Sequence, residues 1–192
     1  KQGTWPLNTV REKAELVAEA RTKKIKRHFG TVMELCHVKN SQLAPEFHKF
    51  KGRIVFRGDL IKDEEGTYAV FSEQGASASS VEAARFVDAL ARMPGCSGYN
   101  IDAVKAFNQI PLGEDCPETW CSLPPHRRPK EWEGMKDPVV LLKRNLYGHP
   151  RAGHYWESHV NKCVRSLGFR PIPGWECCFI HRKLPCVECL CG

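Results

Sequence analysis

The sequence has no run of apolar residues approaching the ~20 that a helix needs to cross a bilayer. Its first residues carry no signal-peptide pattern either. These two absences argue against a membrane protein and a secreted one, so the expected location is intracellular, cytoplasmic or nuclear. A reducing compartment in turn makes free thiols the default for the ten cysteines, at 36, 96, 116, 121, 163, 177, 178, 186, 189 and 191. There is no internal repeat and no low-complexity tract, and position 1 is Lys, as expected of a chain cut from something larger. Aspartate is scarce: the six stand at 59, 63, 88, 102, 115 and 137, no two adjacent and none in the last quarter.

What is present is ample for a core. With 192 residues, 42% of them hydrophobic, one domain or two small lobes are expected. The formal charge of +7 is uneven. Residues 1–57 hold 13 Lys+Arg against 5 Asp+Glu, whereas residues 58–192 hold 16 against 17. A positive excess at one end fits a nucleic-acid backbone as partner, and fits a solubilising surface helix equally well.

Along the chain, Thr9-x-x-Glu12 has the form of a capping box and predicts a basic helix over about 10–28. Its apolar stripe would be Val10, Ala14, Val17, Ala18, Ile25 and Phe29, and the N-terminal 1–30 would stand as a basic helix. A strand is expected over Thr31–Lys39. In Phe50–Gly58 the alternation puts Lys51, Arg53, Val55 and Arg57 on one face and Phe50, Ile54 and Phe56 on the other. That cationic face suits phosphates, or is the wet side of an edge strand. Asp63-Glu-Glu-Gly66 reads as a hairpin tip returning through Thr67–Phe71, and Ser79-x-x-Glu82 opens a helix to about Met93 with Ala83, Phe86, Val87 and Leu90 inward. Strands follow at Trp120–Leu123 and Val139–Arg144, separated by a Pro-rich surface excursion at Pro124–Asp137.

A helix with Pro150 in its first turn continues through Ala152, Tyr155, Trp156, His159, Val160, Cys163 and Val164, closed by Gly168. His159 reads as a satisfied, half-buried histidine and not as a ligand. Trp175–Arg182 is a last strand, and residues 184–192 form a Cys-rich tail. Cys178-x2-His181-x4-Cys186-x2-Cys189 has ligand types that zinc can use, yet matches no zinc-finger spacing, and Cys178 and His181 fit a strand equally well.

The chemistry concentrates at Tyr99-Asn-Ile-Asp102-Ala-Val-Lys-Ala-Phe107. This stretch reads as a short apolar strand with one carboxylate at its end, followed by a turn. Asp102 is either a cap for that turn or a metal ligand. Four segments here resemble, in order, the reverse transcriptases of copia-type retrotransposons: Lys51-Gly-Arg-Ile-Val-Phe-Arg-Gly58, Ile101-Asp-Ala-Val-Lys-Ala-Phe107, Val139–Gly148 with its Leu-Tyr-Gly turn, and Trp156 with Leu167-Gly168-Phe169. The resemblance covers about residues 31–183. Together with the helices and strands read along the chain, it implies an α+β fold: the fingers and partial palm of an RNA-directed DNA polymerase, with an antiparallel sheet and helices on one face.

The same resemblance implies roles for particular residues. Asp102 would be one carboxylate of a two-Mg²⁺ nucleotidyl-transfer site, joined by the carbonyl of Ala103. Phe107 would lie under the incoming sugar, and Lys51, Arg53 and Arg57 would hold the phosphates of a deoxynucleoside triphosphate. Tyr147, Gly148 and Arg151 would border an RNA or DNA template–primer. Two departures stand out. Arg151 occupies the place where the family commonly has a glutamine, and the second motif, a tyrosine, one residue and two aspartates, is missing after the 177–182 strand. One aspartate cannot hold two Mg²⁺ ions, so the expectation is a polymerase fragment that is inactive alone, truncated or altered by a reading-frame or splice change near residue 183. The alternatives are a non-catalytic nucleic-acid-binding module, a remnant with no stable fold, and a zinc module built from the tail.

Overall fold

The computed structural model describes residues 3–71 and 79–189, together with the backbone but not the side chain of Cys189. The fold is α+β, in two units: residues 1–71 with 111–150, and residues 72–110 with 151–192. No helix among the described residues is long and apolar enough to span a membrane.

The first unit is built on a five-stranded sheet: β1 Arg11–Glu12, β2 Arg27–Lys39, β3 Lys49–Phe56, β4 Glu118–Ser122 and β5 Pro138–Leu141, in the order β1-β5-β4-β2-β3. The sheet is mixed, not antiparallel as expected, because β2 runs parallel to β4 with Phe29 opposite Trp120. Parallel neighbours cannot be joined by a hairpin, and the connection from β3 to β4 includes residues 72–110 of the other unit. Alternation along three strands then builds two cores. Phe29, Trp120 and Val139 meet Leu16 of helix α1 (Lys13–Lys23) on one face. Val32, Cys121 and Val140 face the other way, among Phe56, Ile61, Leu123, Trp132, Leu142 and Leu146. Trp132 corrects the reading of Pro124–Asp137 as pure surface: its ring is buried and closes the second core.

Helix α1 is shorter than expected, since Lys24 turns into the left-handed region at φ 54 and Arg27 already opens β2. The capping box is not made. Thr9 Oγ1 donates to the Pro6 carbonyl and accepts from the Leu141 amide, while Glu12 accepts from the Lys136 and Asp137 amides. Both side chains are spent on anchoring β5, a tertiary use that displaced the local one. Leu16 and Ala20 are the buried residues of the helix, and Ile25, expected in its stripe, is exposed. After Val32 and Phe56 the β2–β3 ribbon runs on uncovered to the Lys39–Lys49 pair.

The second unit holds α2 (Val81–Ala91), α3 (Ala106–Gln109), α4 (Ala152–Ser166) and an antiparallel three-stranded sheet, β6 Phe169–Pro171, β7 Cys178–His181 and β8 Val187–Cys189, with β7 central. Helix α2 is capped one residue later than expected, the Ser80 hydroxyl accepting from the Ala83 amide. It packs on β8, and α4 packs on α3 and β6. Of the inward set expected on α2 only Ala83 is buried; Phe86 stays half exposed, edge-on to Trp175 at 5.1 Å. Pro150 lies outside α4, whose N-cap is Arg151, and Gly168 closes the helix at φ +95 as expected. His159 is exposed, not half-buried.

Candidate functional site

Five of the nine candidate residues belong to the first unit and four to the second. In the first, register puts Lys39 opposite Lys49, His37 opposite Lys51 and Leu35 opposite Arg53. Directly opposed residues share a face, so Lys39, Lys49, Lys51, His37 and Arg53 line one side of the ribbon, and all are exposed. Among the described residues none of these five has an ion-pair partner. Arg57 differs: its guanidinium bonds Asp59 at 2.8 Å, which holds the Asp59 carboxyl below its ordinary range. On the other face Phe56 is buried at the base of the ribbon, whereas Ile54 and Phe50 farther out are exposed, Phe50 to 81%, so the alternation is right and the burial it implied is made only at the base.

The base of the ribbon is locked onto the Leu-Tyr-Gly turn. The Phe56 amide donates to the Tyr147 carbonyl at 2.7 Å, and the Arg57 amide to the Thr31 carbonyl at 2.8 Å. Gly148 has φ +85, and a Cβ there would lie 2.1 Å from the Phe56 carbonyl oxygen. A Cβ on Gly58 would in turn lie 2.2 Å from the Gly148 carbonyl oxygen. Two backbones thus meet where neither can carry a side chain. Sequence reasoning placed Gly148 at a template border and missed this packing role. It also missed the aromatic filling behind the turn, where the His149 ring meets Phe56 at 5.6 Å and Phe71 at 6.0 Å, and Phe71 meets His28 at 5.3 Å. His28 is buried with Nδ1 unpartnered, and burial lowers its pKa.

The expected cationic helix is largely self-neutralised. The Arg27 guanidinium, 6% exposed, donates to Glu118 at 2.6 Å, to Glu19 at 3.2 Å and to the Leu16 carbonyl at 3.0 Å. Hydrogen bonds from Lys23, Arg11 and Arg27 bring the Glu19 carboxyl down to about 2. Arg21 reaches the Glu64 carbonyl and Glu65. These bonds favour the structural reading for much of the N-terminal charge, and the ribbon is an accessible cationic surface of this unit.

In the second unit the expected Asp102 strand does not form. Residues 99–103 are irregular, with Tyr99 89% and Ile101 88% exposed, and no described strand pairs with them. A strand needs a neighbour to take its amides and carbonyls, and periodicity alone cannot supply one. Asp102 is exposed and caps nothing: α3 begins after Lys105, in the left-handed region at φ 55, with no side-chain cap. Ala103 is exposed beside it. Phe107 sits edge-on to Trp156 at 6.4 Å, and the Arg151 guanidinium lies over the Tyr155 ring at 5.0 Å.

No group of three His, Cys, Asp or Glu residues among the described residues is arranged to hold a metal ion. In the tail, both nitrogens of His181 serve the backbone: Nε2 donates to the Leu167 carbonyl, and Nδ1 accepts from the Lys183 and Leu184 amides. Cys178 is buried in β7 and Cys186 is exposed.

Over 137 residues, 70% of its length, the chain is 26% identical to the Gag-Pol polyproteins of transposons Ty1-DR5, Ty1-LR2 and Ty1-ML2 of Saccharomyces cerevisiae. It spans only 7% of the length of those polyproteins. No family model matches the chain. No solved structure matches it. The similarity supports an origin in a retrotransposon Gag-Pol polyprotein and by itself singles out no one enzyme within it.

Proposed function

We propose that this chain is a fingers-and-palm piece of a copia-type reverse transcriptase that binds RNA or DNA template–primer, and that it does not perform nucleotidyl transfer by itself. The observation that carries the binding half is the ribbon face of Lys39, Lys49, Lys51, His37 and Arg53, exposed and free of ion pairs among the described residues. Cations that are already paired within the protein gain little by meeting a phosphate. Unpaired ones on a stiff support release counterions from the nucleic acid at small cost in ordering. The anchoring of the ribbon base through Gly58 and Gly148 supplies that support.

The inactive half rests on donor chemistry. Two Mg²⁺ ions need several hard oxygen ligands each. Asp102 and the Ala103 carbonyl are the residues the family resemblance assigns to them. Asp102 stands on an irregular exposed segment, and the sequence has no aspartate pair to join it. The residues present do not fit a two-metal site, and no catalytic step is assigned to them.

Fluorescence anisotropy with labelled single-stranded RNA and with an RNA–DNA template–primer, at several salt concentrations, tests the binding half. Affinity falling steeply with salt, and a slope reduced by about one for each of Lys51→Ala and Arg53→Ala, is the expected result. Salt-independent binding, or none, sinks it. Primer extension on poly(rA)/oligo(dT) with Mg²⁺ or Mn²⁺ tests the other half, where Asp102-dependent DNA synthesis is the outcome that overturns it.

A further inference from the structure

We propose that His159 and Cys163 of α4 form a chelating pair for a thiophilic divalent cation of the zinc class. The two residues are four apart on one helix, so their side chains rise side by side from successive turns. Nε2 of His159 lies 3.6 Å from Sγ of Cys163. When zinc is bound tetrahedrally by an imidazole nitrogen and a thiolate at their usual bond lengths, those two atoms are separated by about 3.6 Å. The helix therefore presents the pair at the bite a zinc ion requires, with no rearrangement of backbone.

Three further features suit a cation. Both side chains are exposed, so an ion arriving with its waters keeps them in the remaining positions and is not desolvated. The imidazole is backed by the Trp156 ring, 5.9 Å away and tilted by 31°, and Trp156 is itself met edge-on by Phe107. This stacking limits the rotamers of His159 and lowers the ordering cost of binding. The chemistry also selects the metal, since a thiolate–imidazole pair favours zinc over Mg²⁺. On binding, the thiol proton of Cys163 passes to solvent as the sulfur–metal bond forms. Neither His159 nor Cys163 is among the residues assigned to nucleic acid or nucleotide, so the site stands or falls apart from that reading.

The full-length chain, reduced and metal-free, is titrated with Co²⁺ as a spectroscopic substitute for zinc, followed by back-titration with Zn²⁺. Expected are a near-ultraviolet sulfur-to-cobalt charge-transfer band and its displacement by zinc. Cys163→Ser and His159→Gln each weaken the apparent affinity at least about tenfold, since even supporting groups around a metal cost about 10–100-fold. Cys36→Ser, an exposed thiol of the other unit, leaves the titration unchanged. Equal titrations of the parent, Cys163→Ser and His159→Gln overturn the proposal, as does the absence of any sulfur band. Far-ultraviolet circular dichroism of each variant checks that α4 is retained, as its exposed positions require.

Discussion

A methyl group at position 148 has nowhere to go. It would sit 2.1 Å from a backbone oxygen of β3 and force a side chain onto a backbone at φ +85. Gly148→Ala is expected to destabilise the protein by about 3 kcal/mol, the sum of steric displacement and left-handed strain, read as a lowered urea midpoint. Arg27 is the second sensitive residue. Arg27→Met leaves Glu19 and Glu118 without their shared cation and is expected to cost about 2–3 kcal/mol, at the low end for a broken buried pair because both carboxylates are partly exposed. The pH dependence follows from the same residues. His28 is held below its ordinary 6.5 by burial, so the unfolded chain takes up its proton first. Stability is full above pH 6.5 and declines as pH falls below it. Glu19, lowered from 4.5 to about 2, adds stability present above pH 4.5 and lost as pH falls toward 2. Thermal unfolding against pH should show both declines, with Glu19→Gln flattening only the lower one.

At the scale of elements, the β2–β3 ribbon and the 99–103 segment make opposite cases. The ribbon projects without cover because its two strands satisfy each other's backbone groups and need no third neighbour. The 99–103 segment has a strand's pattern and no neighbour, and it stays irregular with its apolar side chains in water. Charge reversal on the ribbon, Lys49→Glu with Lys51→Glu, should abolish measurable RNA binding at moderate salt while leaving the unfolding midpoint nearly unchanged. These side chains are exposed and lack ion pairs among the described residues. Reversal of Arg21 on α1 should do the contrary: little change in RNA affinity, with loss of its link to Glu64 and Glu65.

For the whole molecule, the similarity to Ty1 Gag-Pol polyproteins and the order of the sequence motifs agree on a retrotransposon origin, while the chain spans only 7% of those relatives. Binding and catalysis are therefore to be measured separately. Asp102→Asn is expected to leave RNA affinity within about twofold of the parent, since an exposed carboxylate remote in sequence from the ribbon neutralises no phosphate. A large change in that titration would tie Asp102 to the bound nucleic acid and revive a catalytic role.

The primary structure by itself determined the order of most elements, the turn at Gly148, the closure of α4 at Gly168, the cationic alternation of β3 and the scarcity of aspartate. All of these depend on neighbours within a few residues or on composition alone. Whether Thr9 and Glu12 would cap a helix or fasten β5 was decided by strands more than a hundred residues away. The parallel pairing of β2 with β4, the burial of Arg27 and Trp132, and the failure of residues 99–103 to become a strand were decided there too. A strand, a buried charge and a cap each need a partner, and only the folded chain determines which partners arrive.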